Sequence, residues 1–270
     1  MARIEHITSP SNPKIKAINS LFIRKFRKES GLFVAEGLRS VLEGLECGVV
    51  PEQLVFSEDA DIGPELQRAI DETSARGGLC LKVGEAVLEK LSRKENPQMV
   101  MGVFKQKFGK LSDIKPDRSK CWVALEEVRD PGNLGTIIRT VDGVGADGVI
   151  LIGQCCDPFS VESIRATMGS VFSIPVIPCR REEFLDLTVT WPGSIVATAL
   201  NDRTVDFREA DYKKPMILVM GNEQAGITET IQNAVHQTVK LPMNGRADSL
   251  NLAIATGIML YAAMEPWKQA

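Results

Sequence analysis

From residue 121 onward, short unbroken apolar runs alternate with stretches of helical pattern. Apolar runs of this kind are typical of strands covered on both faces, as in a parallel sheet with helices on each side. The strand-like runs lie at residues 122–125, 148–152, 174–177, 195–200, 216–220 and 239–241. The helical stretches lie at residues 134–144, 161–168, 228–236 and 250–264. We therefore expect an α/β domain built around a parallel sheet.

A second, smaller α/β unit is expected before this domain. Strand and helix patterns alternate there up to about residue 104. Residues 105–120 are then polar and contain five lysines, a glycine and a proline, a composition typical of connections between domains. The sequence thus predicts an N-terminal domain at residues 1–106, a linker at 107–119 and a second domain at 120–270.

Composition argues against several classes of protein. Hydrophobic residues make up 44% and charged residues 25% of the chain, an ordinary globular balance, and no apolar run approaches the roughly 20 residues that cross a bilayer. The N-terminal residues lack the apolar segment of a secretory signal, so we expect a cytoplasmic protein that spans no membrane. The 6 cysteines include no C-x-x-C pair and there are 2 histidines, so no metal site is expected and a histidine-based hydrolase is disfavoured.

A basic cluster lies near the N-terminus, although the whole chain has a net charge of −3. Residues 1–39 contain eight Lys and Arg against three Asp and Glu. Arg24, Lys25, Arg27 and Lys28 surround Phe26, and cations beside an aromatic ring suit the phosphates and bases of a nucleic acid. A solvated helix end would have the same composition. The cluster is therefore a candidate RNA-binding surface, with a plain helix surface as the alternative.

Three loops that follow strands carry polar residues suited to a site, because ligands of parallel α/β sheets bind at the carboxyl ends of the strands. The first loop turns at Pro131-Gly132 and enters a helix that Asn133 could cap. The second has Glu223 between two glycines, and in the third Ser249 is placed to cap a helix. Taken singly, each loop is also explained by an ordinary turn or cap. None contains the glycine fingerprint of dinucleotide-binding or phosphate-binding loops, which argues against a dehydrogenase or a kinase.

The helix expected at residues 250–264 has two further features. Leu250, Ile254, Ile258 and Tyr261 form an apolar stripe, the pattern of a helix that buries one face. Asn251 lies in the expected first turn, where asparagine lowers helix propensity without an evident structural return. We therefore treat Asn251 as a candidate functional residue.

Taken together, these loops resemble the three motifs of the SpoU-type (TrmH-like) class of SPOUT RNA methyltransferases. The motifs occur in the right order with family-like spacing from about residue 121 to the end, and residues 165–169 match as well. Residues 33–37 are similar, more loosely, to the small substrate-binding domain that often precedes this catalytic domain. The matching motif segments are Asn133-Leu134-Gly135 through Arg139, Gly221-Asn222-Glu223 through Gly226, and Leu241-Pro242-Met243 through Ser249-Leu250-Asn251.

The resemblance implies S-adenosylmethionine-dependent transfer of a methyl group to a ribose 2′-hydroxyl of structured RNA. It also implies a C-terminal SPOUT domain with a parallel sheet and a deep trefoil knot, preceded by a small α/β substrate-binding domain, and a homodimer built largely from the catalytic domain. A cofactor held mainly through backbone groups calls for glycine and aliphatic residues. By resemblance, the cofactor-binding residues are Gly221, Leu241, Met243 and Leu250, with Thr198 as a lesser contact.

The resemblance further assigns the chemistry. A ribose hydroxyl is a very weak acid, so its proton must leave as the methyl group moves, and Arg139 takes the position of the base. A guanidinium is normally locked in its charged form. Either its surroundings let it accept the proton, or it stays charged and stabilises the developing alkoxide while water or phosphate takes the proton; we favour the second account. Asn133 would hold Arg139 or the ribose, Glu223 would orient that network, and Ser249 with Asn251 would place the 2′-hydroxyl.

Two alternatives accompany this interpretation. The RNA could be transfer RNA, although a full N-terminal domain favours ribosomal RNA. A non-catalytic RNA-binding ribosome-assembly factor with the same fold predicts the loss of polar motif residues. Arg139, Glu223, Ser249 and Asn251 are all present, so we expect an active enzyme.

Overall fold

The computed structural model describes residues 4–92 and 98–265. The chain divides into two compact units, the first made of residues 1–106 and 159–172 and the second of residues 107–158 and 173–270. Among the described residues, no helix combines the length and apolar character needed to cross a membrane.

The first unit is a mixed sheet with helices on both faces. Its strands are β1 (Ile4–Ile7), β2 (Leu32–Glu36), β3 (Gln53–Ser57), β4 (Leu79–Val83) and β5 (Val100–Lys105). Its first helices are α1 (Pro13–Ser20), α2 (Arg24–Ser30), α3 (Leu38–Glu46), α4 (Pro64–Ala75) and α5 (Glu85–Ser92). The strand order is β1-β4-β3-β5-β2, with β5 antiparallel to both of its neighbours. The predicted small α/β unit is confirmed.

The second unit contains the remaining strands and most of the remaining helices. The strands are β6 (Cys121–Glu126), β7 (Gly148–Ile152), β8 (Val176–Cys179), β9 (Ile195–Thr198), β10 (Val205–Asp206), β11 (Met216–Met220) and β12 (Gln237–Lys240). The helices that follow along the chain are α6 (Pro131–Val144), α7 (Val161–Thr167), α8 (Arg181–Thr190), α9 (Glu229–Ala234) and α10 (Leu252–Met264), of which α7 belongs to the first unit.

The sheet of the second unit has 7 strands in the order β10-β12-β9-β11-β6-β7-β8, and every pair is parallel. Alternate residues of each central strand enter different hydrophobic clusters: Val123 and Leu125 face the cluster that includes α6 and α10, whereas Trp122 and Ala124 face the cluster that includes α8 and α9. Both faces are therefore covered, which is why the strands appear as unbroken apolar runs. The predicted parallel α/β sheet is confirmed; the trefoil knot stays a prediction.

The segment Phe159–Phe172, here called the return segment, lies in sequence between β7 and β8 but belongs to the first unit. The rings of Phe159 and Phe33 lie 4.8 Å apart between centroids, inside a buried cluster of the first unit. Arg165 donates from Nε to Oε2 of Glu36 at 2.7 Å, and the Glu36 side chain is only 3% exposed. The return segment thus supplies both apolar and ionic contacts to the first unit.

The structure differs from the sequence expectations in where the chain divides. Residues 107–119 were expected to form a linker, but they belong to the second unit, where the Ile114 side chain is buried in the cluster beneath α8 and α9. The return segment, expected within the domain at residues 120–270, belongs to the first unit. Composition could not reveal that residues 107–119 pack on the second unit, because a single buried side chain, Ile114, anchors this polar stretch. It could not place the return segment either, because that placement depends on tertiary contacts.

Four elements were not anticipated from the sequence: β1, α2, α8 and β10. β10 contains only 2 residues, too few for a periodic pattern to be recognised, and β1 (Ile-Glu-His-Ile) has two polar residues among its four. α8 contains two threonines and a valine near its end, residues that favour strands over helices.

Candidate active site

Four neighbouring strands of the parallel sheet, β12, β9, β11 and β6, place their carboxyl ends side by side. The three motif loops follow β6, β11 and β12, and Thr198 is the last residue of β9. Parallel strands bring these ends to the same edge of a sheet. The order of the strands therefore brings together candidate residues that are up to 118 positions apart in the sequence.

The loop after β6 ends at a helix cap that differs from the expected one. Asp130 is the N-cap of α6, and its Oδ1 accepts from the backbone N–H of Asn133 at 2.6 Å. Pro131 occupies the first helical position, where its fixed φ and missing N–H are tolerated. Asn133 is therefore corrected from cap to first-turn residue, and its side-chain amide is available for other contacts.

The end of β6 ties this loop to the next one. The buried carboxylate of Glu126 accepts from the Thr228 backbone N–H at 2.7 Å and from Nε of Arg181 at 2.9 Å. Hydrogen bonding to Glu126 raises the pKa of Arg181. Glu127 has a φ of 51°, and its carbonyl accepts from Nδ2 of Asn222 at 2.8 Å. A backbone in the left-handed region thus lies directly before the first motif loop.

The loop after β11 closes tightly on itself. Asn222 and Gly226 exchange backbone hydrogen bonds of 3.0 and 2.9 Å, and the Asn222 side chain accepts from the N–H groups of Gln224 and Ala225. A Cβ on Gly221 would lie 2.2 Å from the carbonyl carbon of Gly226. Gly221 is therefore required by the loop's own backbone.

The loop after β12 ends at Asn251, which is the N-cap of α10. Its Oδ1 accepts from the N–H groups of Ala253 and Ile254 at 2.9 and 3.3 Å. The helix begins at Leu252, two residues later than expected, so the cap role predicted for Ser249 is wrong. Ser249 is exposed in the preceding loop.

Three predicted catalytic residues form one chain of hydrogen bonds. Nδ2 of Asn251 donates to Oδ1 of Asn133 at 2.8 Å, and Nδ2 of Asn133 donates to Oε1 of Glu223 at 3.1 Å. Because Oδ1 of Asn251 is used in capping, its amide must turn Nδ2 toward Asn133. Each of the three motif loops contributes one member, so the chain holds the loops in register.

A cavity of about 680 Å³ opens beside the hydrogen-bonded residues Asn251, Asn133 and Glu223. Its volume is within the range of about 300–1,000 Å³ usual for small-molecule sites. All five predicted cofactor-binding residues line it, namely Thr198, Gly221, Leu241, Met243 and Leu250. Glu223, Ser249 and Asn251 line it as well. A wall rich in glycine, aliphatic and methionine residues suits a nucleoside cofactor with a sulfur-containing side chain.

Arg139 is placed differently from the other candidates. It is exposed on α6 and is not among the residues that line the cavity of its own chain. Among the described residues, no hydrogen bond or ion pair holds its guanidinium. The structure thus brings together Asn133, Glu223 and Asn251, with Ser249 on the same cavity, but does not join Arg139 to them within one chain.

Two cysteines lie near the first motif loop. Burial, reinforced by the neighbouring Cys155, Asp130 and Glu223, raises the pKa of the Cys156 thiol to about 12, and burial raises that of Cys155 to about 11. Both thiols therefore stay protonated at neutral pH and are poor nucleophiles. Among the described residues, no three histidine, cysteine or acidic side chains are grouped to hold a metal ion.

The basic cluster of the first unit lies on α2, which ends at Gly31 in the left-handed conformation with a φ of 67°. Arg24, Lys25 and Lys28 are exposed. Arg27 is only 4% exposed and donates from Nη1 to the Leu21 carbonyl at 2.7 Å. Arg27 therefore supports the fold of this segment, which corrects its inclusion among the RNA-binding residues.

The apolar stripe of α10 points to solvent in the single chain. Ile254, Ile258 and Tyr261 are 55, 40 and 44% exposed. Leu250, which was expected on the same helix, precedes its first residue Leu252 and is 38% exposed. The opposite side of the helix, which includes Ala253, packs with α6 in the buried cluster. The stripe is thus an exposed apolar surface of the second unit.

Sequence reasoning missed three residues that shape the site: Glu126, Asn222 and Gln232. Glu126 ends an otherwise apolar strand, and a carboxylate at that position is a signal of a buried ion pair or a site. Asn222 stands out in the sequence only as a neighbour of Glu223. Gln232 lies on α9 and lines the cavity, and no pattern in the sequence distinguishes it.

Fold and site together define an α/β enzyme with a cofactor-sized cavity at the carboxyl ends of parallel strands. A model of the SpoU rRNA methylase family matches residues 120–261, and a model of the MRM3-like substrate binding domain matches residues 12–102. Because the first match spans more than half of the chain, the protein belongs to the SpoU rRNA methylase family.

Similar proteins extend over nearly the whole chain. The crystal structure of an AdoMet-bound rRNA methyltransferase from Sinorhizobium meliloti has a TM-score of 0.91 and 46% identity, covering 97% of this chain and 98% of that one. The 23S rRNA (guanosine(2553)-2′-O)-methyltransferase RlmP of Bacillus subtilis is 28% identical over 258 residues, 96% of this chain and 98% of its own length. The tRNA (guanosine(18)-2′-O)-methyltransferase of Escherichia coli is 32% identical over 163 residues, 59% of this chain and 68% of its own length.

Proposed function

We propose that this protein transfers the methyl group of S-adenosylmethionine to a ribose 2′-hydroxyl of ribosomal RNA in the cytoplasm. The observation that carries the proposal is the cavity: it is lined by every predicted cofactor-binding residue, and the Asn251–Asn133–Glu223 chain lies at its edge. Family membership and an AdoMet-bound relative of 46% identity support the same activity.

We assign the roles of the residues from their motif positions together with the hydrogen bonds of Asn133, Glu223 and Asn251. Gly221, Leu241, Met243 and Leu250 would hold the cofactor, with Thr198 at the end of β9 beside them. When bound, S-adenosylmethionine supplies an electrophilic methyl group. Ser249 and Asn251 orient the ribose hydroxyl toward it, and the Asn133 and Glu223 side chains hold Asn251 in place. Arg139 stabilises the developing alkoxide while water or a phosphate takes the proton.

Ribosomal RNA is favoured over transfer RNA by the extent of similarity. The two relatives named above for ribosomal RNA are matched over 96 and 97% of this chain, whereas the Escherichia coli relative named for transfer RNA is matched over 59%. The N-terminal region, matched at residues 12–102 by a substrate binding domain, would then bind the RNA. A non-catalytic role is disfavoured, because every polar motif position is filled.

The test is a map of 2′-O-methylated positions in total RNA with and without the gene. Loss of methylation at one ribosomal position supports the proposal and identifies the nucleotide. Loss confined to a transfer RNA position would replace the substrate, and an unchanged map, with purified protein inactive on ribosomal RNA, would contradict the activity.

Replacing Arg24, Lys25 and Lys28 together with alanine should weaken RNA binding and flatten its salt dependence. Every phosphate that the variant no longer neutralises lowers the slope of log K against log salt by roughly one unit. Affinity for S-adenosylmethionine should stay at the wild-type value, since these side chains lie on α2. The measurement is an RNA-binding titration at several salt concentrations.

A matched control removes three cations of the first unit that lie outside α2. Arg39, Arg68 and Lys105 form ion pairs with Glu43, Glu72 and Glu52. Their joint replacement by alanine should leave the salt slope close to wild type. Equal losses in both triple variants would mean that net charge, and not the α2 surface, governs binding.

We further propose that the protein acts as a homodimer paired through the exposed stripe of α10. A second copy is the partner that buries Ile254, Ile258 and Tyr261 with the neighbouring Leu250, because the three helical side chains recur along one side of α10 and present a continuous apolar face. The proposal also accounts for Arg139, which lies outside the cavity of its own chain and would be brought to a site when two copies meet.

Replacing both Ile254 and Ile258 with aspartate should convert the dimer to a monomer. Paired copies would otherwise bury four unmatched carboxylates. Sedimentation at micromolar concentration measures the change, and Val189→Asp, which alters an 85% exposed apolar residue on α8, is the control. A wild-type monomer that methylates RNA would rule out the dimer.

A further inference from the structure

The side chain of Gln232 on α9 lines the candidate cofactor cavity and joins two of its walls. Its Nε2 donates to the carbonyl of Ile227 at 3.0 Å, at the end of the loop that follows β11. Its Oε1 accepts from Nδ2 of Asn201 at 3.0 Å, in the loop that follows β9. Both ends of one amide are therefore used to connect two loops that come from neighbouring strands.

Asn201 is itself fixed in orientation. Its Oδ1 accepts from the backbone N–H of Arg203 at 2.9 Å and lies 3.2 and 3.3 Å from the hydroxyls of Thr204 and Thr238. Its backbone N–H donates to the Thr204 hydroxyl at 3.0 Å. The turn is thus closed on itself, and Nδ2 of Asn201 is the donor directed at Gln232.

We propose that Gln232 is a positioning residue for the methyl donor, which sets the separation of the two loops that enclose the cavity. This inference rests on the proposed function, because it takes S-adenosylmethionine as the ligand. The position needs a donor toward the Ile227 carbonyl and an acceptor toward Nδ2 of Asn201. A neutral side-chain amide supplies both from a single side chain. Without the amide both loops are free to move. Binding of the cofactor must then order them, which costs free energy and lowers the affinity.

A second contact between the same helix and the same loop provides a matched control. Nη2 of Arg203 donates to Oδ1 of Asn233 at 3.2 Å. This contact is exposed, and neither residue lines the cavity. Asn233→Ala therefore removes one hydrogen bond between α9 and the loop without altering the cavity wall.

The experiment measures S-adenosylmethionine affinity by calorimetry on the full-length protein, together with kcat and KM for RNA methylation. For Gln232→Ala and for Gln232→Met, which keeps the volume, the dissociation constant should rise about tenfold, the order expected for two neutral hydrogen bonds. kcat at saturating cofactor should stay within about twofold of wild type. Asn233→Ala should bind the cofactor as wild type does.

Gln232→Glu adds a second readout, the pH dependence of cofactor affinity, which a purely structural role of Gln232 would not change. A carboxylate at this position accepts from Asn201 but is repelled by the Ile227 carbonyl, whereas the protonated acid donates to that carbonyl as the amide does. Relative to wild type measured at the same pH, the cofactor affinity of Gln232→Glu should therefore recover as the pH falls through the titration of the new group.

Wild-type affinity in Gln232→Ala and Gln232→Met would overturn the inference while leaving the proposed function intact. An equal loss in Asn233→Ala, or a Gln232→Glu affinity that follows wild type at every pH, would also overturn it. Failure of the wild-type protein itself to bind S-adenosylmethionine would instead contradict the proposed function.

Discussion

Replacing Arg139 with alanine is expected to lower the single-turnover rate of RNA methylation at least about a hundredfold. The ribose hydroxyl must lose its proton as the methyl group moves, and the variant removes the cation that stabilises the developing alkoxide. Because Arg139 is proposed to act on the ribose hydroxyl and not on the cofactor, S-adenosylmethionine affinity should stay near the wild-type value. Single-turnover kinetics with saturating enzyme, alongside calorimetry, measures both quantities.

Arg139→Lys separates the two accounts of the proton. If the side chain must accept the proton, lysine is easier to deprotonate, and the variant should retain activity that rises with pH. If planar, two-point contact with the RNA is what matters, lysine should show little activity at any pH. We expect the second result.

Arg129→Ala is the control for the loss of an arginine in this region. Arg129 is exposed, lies in the loop that leads to α6 and pairs with Glu127 at 3.1 Å. Arg129 has no proposed role in the reaction, so the single-turnover rate of Arg129→Ala should remain within a few-fold of wild type. Wild-type rates in Arg139→Ala would refute both accounts of Arg139.

Replacing Gly221 with valine is expected to weaken S-adenosylmethionine binding by about a hundredfold or more. The first added carbon would already lie 2.2 Å from the Gly226 carbonyl carbon and 2.4 Å from the Ile227 nitrogen, so the loop must open. Opening breaks the two backbone hydrogen bonds between Asn222 and Gly226 and displaces Glu223 from Asn133. Calorimetry of the full-length protein measures the loss.

Gly245→Ala is the matched change in the loop after β12. A Cβ at Gly245 would have no atom within 4 Å apart from those of Gly245 and its two neighbours in the sequence, so cofactor affinity and thermal stability should both match wild type. If Gly221→Val bound S-adenosylmethionine normally, the loop after β11 could not be the wall of the cofactor site.

The position of the site was predictable from the sequence, whereas its hydrogen bonds were only partly so. Polar residues after buried strands converge once the strands are parallel and adjacent, and Glu223 and Asn251 illustrate this. The identity of the caps was misassigned because Asp, Asn and Ser all cap helices well. For α6, Pro131 would have indicated the correct cap, because proline favours the first helical position and the residue before it, Asp130, is then the N-cap.

Burial of individual polar residues could not be deduced from local pattern. Arg27 sits within a run of cations, yet its guanidinium is turned inward by the Leu21 carbonyl, which only the path of the preceding turn determines. Gln232 gives no signal either, because its two partners come from different loops. Contacts of this kind depend on tertiary placement, so sequence periodicity carries no information about them.

The return segment also affects the order in which the protein can be made. A ribosome completes residues 1–106 well before it reaches Phe159, so the first unit emerges without Phe159 and without the arginine that pairs with Glu36. Until residue 172 has been synthesised, the Phe33 side of that unit remains incompletely covered. The first unit therefore cannot finish folding as soon as residue 106 has been made, and a fragment cut at residue 106 would expose apolar surface and tend to aggregate.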